Sequence, residues 1–212
     1  MAIEAAIRRS DKLENESTID DLILTTSEAA DLLNVHTNTL RRWSDRKIIY
    51  AERTGSRRDR KFRKKDLYNL LTPNGAPYFF TKEEAVEYLG GDTEKLDQLK
   101  DAIMTRESAD GKTEYNYYDL FFLKVAMGYT PKLLKVKKTA EEWNTHENTI
   151  RRSSDRGPGD EDLYPCFRVG PRVTEKLVHT GEGKVVSIGD RRIEEYIVKK
   201  MLESRQSYQN QG

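Results

Sequence analysis

Between residues 24 and 71 apolar positions recur at helical spacing and then at strand spacing. Ala29, Ala30, Leu32 and Leu33 lie one, three and four apart and predict a short helix with one buried face. Thr26 or Ser27 is placed to cap it, and Glu28 puts an acid in its first turn. Asn34-Val35 predicts a turn with Val35 inward. Leu40 and Trp43, three apart, give the inner face of a second helix from Thr37 to Arg46. Ile48 and Ile49 start a strand, Gly55 permits a hairpin turn and Phe62 returns inward. Asp66 then starts a closing helix through Leu67, Leu70 and Leu71.

Helix, tight turn, helix, basic hairpin and closing helix make a winged helix-turn-helix. The segment S-E-A-A-D-L-L-N-V-H-T-N-T-L-R-R-W, followed by D-R-K-I-I, Arg60-Lys61-Phe62 and Asp66-Leu67, resembles the DNA-binding domain of the MerR and excisionase families. The likeness covers about 48 residues. His36 stands where that family often has a capping serine. The resemblance implies that the second helix enters DNA and that the hairpin is a wing. No long dimerising helix or effector domain of MerR type follows, so ligand sensing is not implied.

The same pattern recurs twice. F-F-T-K-E-E-A-V-E-Y-L aligns with the first stretch at an offset of 56, which puts Ala85 on Ala29 and Leu96 on Leu40. Y-N-Y-Y-D-L-F-F-L aligns with F-R-K-K-D-L-Y-N-L at an offset of 53. Arg41 and Arg42 are matched there by Asp97 and Gln98. At an offset of 110, H-E-N-T-I-R-R-S-S-D-R repeats H-T-N-T-L-R-R-W-S-D-R with eight of eleven positions identical. The third wing is longer, with strands expected in F-R-V-G-P-R-V and K-V-V-S-I, a turn at Gly181 to Gly183, and a closing helix from Asp190 to Leu202. The R-x-F return of the first wing has no evident counterpart there. The expected fold is mainly α with small β wings, an α+β class of three tandem winged helix-turn-helix modules. They span 24–72, 78–128 and 132–202, after an N-terminal arm (1–23) and before a disordered tail (203–212). Thr72 to Pro77 is expected to be a linker by its Pro and Gly content.

Charge sharpens this division. The net charge is only +1. Residues 24–71 carry twelve Lys/Arg against six Asp/Glu, residues 78–127 six against eleven, and residues 132–202 fifteen against twelve. Nucleic-acid contact is therefore expected in the first and third modules. The acidic middle module is expected to space them or to bind protein. A long apolar run and a signal-type apolar segment are both lacking, so no membrane span is expected. Cys166 is the only cysteine, which excludes an internal disulfide and suits the cytoplasm, with a nucleoid-associated location. The three histidines and Cys166 fit no zinc spacing. No P-loop, G-x-S-x-G, S-x-x-K or metal motif is present, so neither an enzyme nor a cofactor is expected.

The outer-face residues carry the expected chemistry. Arg pairs with guanine O6/N7 and Asn with adenine N6/N7 in the major groove. In the first module the candidate DNA contacts are His36, Thr37, Asn38, Arg41, Arg42 and Arg46 on the helix, with Arg57, Arg58, Arg60 and Lys61 around the wing. In the third they are His146, Glu147, Asn148, Arg151, Arg152 and Arg156. Glu147 in place of Thr37 suits cytosine N4 and predicts half-sites that differ. The two histidines are expected to cap their helices or touch phosphate. The expected partner is double-stranded DNA, with self-association or a protein partner through the middle module or the N-terminal arm. The expected role is that of a sequence-specific transcriptional repressor reading a bipartite site. An architectural, excisionase-like or partition role is the alternative within the same class. A protein-binding adaptor and the targeting subunit of a recombinase or nuclease are the others.

Overall fold

A computed structural model describes residues 22–155, 163–176, 183–187 and 189–209. The fold is mixed α+β, and strand, two helices, antiparallel strands and a helix follow one another three times, with two further strands in the third. The first stretch runs β1 (Ile23–Thr25), α1 (Thr26–Leu32), α2 (Thr37–Asp45), β2 (Glu52–Thr54), β3 (Asp59–Arg63) and α3 (Lys64–Tyr68), and leads into β4 (Leu71–Asn74). The second runs β5 (Phe79–Phe80), α4 (Lys82–Tyr88), α5 (Thr93–Leu99), β6 (Thr105–Glu107), β7 (Thr113–Asn116) and α6 (Tyr117–Ala126). The third runs β8 (Leu133–Lys135), α7 (Val136–Glu142), α8 (Glu147–Ser153), β9 (Cys166–Val169), β10 (Arg172–Lys176), β11 (Gly183–Ser187), β12 (Asp190–Glu194) and α9 (Glu195–Gln209).

The register repeats as well. Leu24 faces Phe62 across β1 and β3, Phe80 faces Tyr115 across β5 and β7, and Leu134 faces Ile193 across β8 and β12. Each pair pins the entry strand to the return strand and points apolar groups at the same core. The turn between the paired helices is alike in all three. Asn34, Gly90 and Asn144 sit at φ 50°, 97° and 48°. The residue after each closes a six-residue ring to Ala30, Val86 or Ala140. This is the left-handed helix ending that Gly and Asn tolerate best. Thr25–Glu28 and Thr81–Glu84 form reciprocal capping boxes on α1 and α4. Thr25, not Thr26 or Ser27, is thus the cap. The corresponding position in the third stretch is Lys135, which makes no side-chain cap.

Several sequence expectations move. Ile48 and Ile49 lie in the turn after α2, and the strand begins at Glu52. The expected linker is β4, which pairs with β9 from Leu71↔Val169 to Asn74↔Cys166. It is the edge of the sheet β4-β9-β12-β8, where Pro73 removes no ladder bond the sheet needs. Asp190 opens a strand, and the closing helix starts at Glu195. That helix runs to Gln209, through most of the tail expected to be disordered. The N-terminal arm to residue 21 and the turn at Gly181-Glu182 lie outside the described residues.

The three stretches are packed into one body. The first and third stretches touch directly, because β4 pairs with β9. Asn34 in the first helical turn donates to Leu133 O at 2.7 Å, and Arg192 Nη2 donates to Asn34 O at 2.8 Å. Asn74 donates to Ser154 O at 3.1 Å, just past α8, and accepts from Arg168 Nε at 2.6 Å. The second and third stretches share an aromatic core. Tyr88 and Tyr196 rings lie 4.9 Å apart and Phe121 and Phe167 rings 4.3 Å apart. Buried within it, the Glu194 carboxylate accepts from the hydroxyls of Tyr117 (2.6 Å) and Tyr88 (2.9 Å).

Candidate nucleic-acid interface

The second helix of the first stretch is held from three sides. His36 caps it, its Nδ1 accepting from Asn38 N at 3.1 Å. Leu40 is fully buried, and Trp43 is half-buried against the same core. Asn34 fixes the angle at which α2 leaves α1. What remains outward is the polar face. Asn38, Arg41, Arg42 and Arg46 are exposed and Thr37 is half-buried. Arg41 Nη1 donates to Asn38 Oδ1 at 3.1 Å, which holds the two groups side by side on the exposed face.

Helix α8 repeats this arrangement. His146 Nδ1 accepts from Asn148 N at 3.1 Å. Ile150 is buried in the place of Leu40. Asn148, Arg151 and Arg152 are exposed. One difference stands out. Glu147 pairs with Arg151 at 3.2 Å, so the Arg151 guanidinium is shared with a carboxylate on its own helix. An exposed pair of this spacing costs about 0.3–0.5 kcal/mol to open. Arg156 lies outside the described residues. In the middle stretch, α5 is capped by Asp92, and the outward positions are Glu94, Asp97 and Gln98, all exposed.

The first wing is a tight hairpin. Arg57 and Arg58 are exposed at its tip. Arg58 N donates to Gly55 O at 3.1 Å. Arg58 itself sits at φ 53°, a conformation that side chains with a Cβ adopt at a cost. Lys61 is half-buried between β1 and β2. Arg60 departs from expectation. It turns to the end of α2 and bonds Asp45 Oδ1 at 2.5 Å, with Arg53 Nη2 on the same oxygen at 3.2 Å. Arg60 is therefore bonded within the protein, through Nη2 to the end of α2.

The third stretch does have a strand in the register of β3, which the sequence reading did not find. D-R-R-I at 190–193 holds the place of D-R-K-F at 59–62, as the cross-strand pairs Leu134↔Ile193 and Leu24↔Phe62 require. The offset grows from 110 at the helix to 131 at the return strand, an addition of 21 residues. That insertion hid the match. With it Arg191 takes the place of Arg60, and it bonds Asp155, the counterpart of Asp45. The signal was present as the repeated D-R dipeptide, but only a gapped comparison would have found it.

Among the described residues no group of three or more His, Cys, Asp or Glu side chains is placed to hold a metal ion. No helix among them is long and apolar enough to cross a membrane. Neither a curated protein nor a solved structure matches the chain. The model of one protein family, described as a helix-turn-helix domain, matches residues 23–72, the stretch from β1 into β4 that carries α2 and its wing. This points to DNA as the partner of that segment.

Proposed function

We propose that the chain is a sequence-specific duplex DNA-binding protein of three tandem winged helix-turn-helix units, MerR- or excisionase-like in the first, and that it acts as a transcriptional repressor. The first and third units read two half-sites of one bipartite target. The middle unit keeps the scaffold without a DNA-binding face. One observation carries this. The same exposed Asn/Arg/Arg face follows the same histidine cap on α2 and α8, and is replaced by acid and amide on α5. A solvated surface does not need its arginines in register on two helices.

The experiment is selection of bound sequences from random duplex DNA, then footprinting on the selected site. The native protein should protect two major-groove patches with salt-dependent affinity. Arg41→Ala/Arg42→Ala should stay folded and weaken binding by about 1–3 kcal/mol for each bidentate arginine–base pairing removed. Arg151→Ala/Arg152→Ala should erase one patch only. A folded Arg41→Ala/Arg42→Ala protein with native affinity would sink the assignment of α2. Two intact patches in the second variant would leave the third unit without a reading role.

A further inference from the structure

Asp45 is the last residue of α2, and a carboxylate there faces the negative end of the helix dipole. Its position is unfavourable for the helix alone. Two wing arginines converge on it, Arg60 from the return strand at 2.5 Å and Arg53 from the outgoing strand at 3.2 Å. The third stretch rebuilds the device from residues far apart in sequence. Asp155, two positions past α8, is gripped through both oxygens by Arg191 at 2.6 and 2.5 Å. In the middle stretch Thr113 stands where the return-strand arginine would be. The wing arginine Arg106 instead pairs across its own hairpin with Glu114 at 2.6 Å. The two units that keep the outward arginines thus share a clamp, a return-strand arginine bonded to the acid at the helix end, and in the middle unit Thr113 takes that arginine's place.

Stability alone explains this poorly. The acids are half exposed, at 54% for Asp45 and 51% for Asp155, so although their arginine partners are only 20% and 12% exposed, water screens one side of each pair and keeps its contribution small. An acid beside a phosphate-binding face also repels the ligand. We propose that Asp45 and Asp155 are positioning residues, which lock each wing at a fixed angle to its helix so that both reach the duplex together. In the first unit the groups thus aimed are Arg57 and Arg58 at the wing tip. The inference rests on the DNA-binding function proposed above.

The test is Asp45→Asn in the full chain. It adds one unit of positive charge to the surface, so charge alone predicts tighter binding. The clamp predicts the opposite sign, about 3–10-fold weaker binding. The slope of log affinity against log salt should also become shallower by about one or two phosphate contacts as the wing disengages. Arg60→Lys, which keeps the charge and a single bond, should lie between the two. In the free protein, amides of β2 and β3 should exchange faster in Asp45→Asn, with those of α1 unchanged. Affinity equal to or above native with a native slope would overturn the proposal. If the native protein shows no salt-dependent binding to duplex DNA, the DNA-binding function fails instead. The clamp then stands or falls on exchange, and native exchange rates in β2 and β3 overturn it.

Discussion

At the scale of single residues, burial decides which reactive groups are chemistry and which are core. Cys166 is free and fully buried in β9. Burial pushes its thiol up to about 11, against weaker pulls from Ser154, Arg191 and Asn74. Little thiolate then exists at neutral pH, and the thiolate is the nucleophile. A thiol reagent should therefore leave the native protein unmodified and label Cys166 only on unfolding, at the rate of unfolding. Rapid labelling of the folded chain would contradict this packing. The two histidines show the reverse case. His36 and His146 are exposed, yet each has one ring nitrogen committed to a helix cap. Their role as caps was legible because each precedes the same N-T-[L/I]-R-R run. The commitment of Arg60 to Asp45 was not, because no local pattern tells whether a wing arginine turns out to solvent or back to a helix end 15 residues earlier.

At the scale of elements, the left-handed turn between paired helices offers a controlled comparison. Asn34 and Asn144 share a backbone conformation but not surroundings. Asn34 Nδ2 bonds Leu133 O, whereas Asn144 is exposed. Asn144→Gly should be close to neutral, since glycine accepts positive φ freely. Asn34→Gly should cost about 1 kcal/mol, the net worth of the hydrogen bond that the glycine cannot make. Both alanine variants should cost about 1–2 kcal/mol from backbone strain alone. Denaturant titration measures all four, and equal costs for the two glycine variants would show that the Asn34 bond adds nothing. Helices, turns and return strands were readable where a local rule acts, as in apolar spacing, Asn before the second helix, or Phe62 alternating inward. The sequence misled where a partner far along the chain decides the outcome. Thr72-Pro73-Asn74 has linker composition and becomes a strand because β9, more than 90 residues later, offers an edge. Asp190 looked like a helix start and is a strand because β8 and β9 flank it.

At the scale of the whole molecule, the junction between the second and third stretches is built on a buried acid. Glu194 lies above the usual carboxylate range, chiefly through burial, opposed by the hydroxyls of Tyr117, Tyr88 and Tyr129 and by Lys124. Between the ordinary value and the raised one, the folded state holds a proton that the unfolded chain has released. Stability contributed this way is full below the ordinary value of 4.5 and falls as pH rises through the raised one, after which it is level. Glu194→Gln should flatten that fall in a thermal-unfolding series across pH, and a native slope in this variant would exclude Glu194 as its source. Glu194→Ala should cost about 1–3 kcal/mol for each tyrosine hydroxyl left without an acceptor. The pairing of Leu71 with Val169 across the shared sheet has a consequence in time as well as in space. During synthesis the first stretch emerges with its local turns and capping box ready to form, while its edge strand β4 waits for a partner still to be made. Contacts so distant in sequence form late, because loop closure must precede them. Until β9 arrives, β4 is an open edge that other chains can pair with. Pro73 within it limits that exposure in the unfinished protein, and it goes on blunting the outer side of β4 in the finished sheet, where β4 remains the edge.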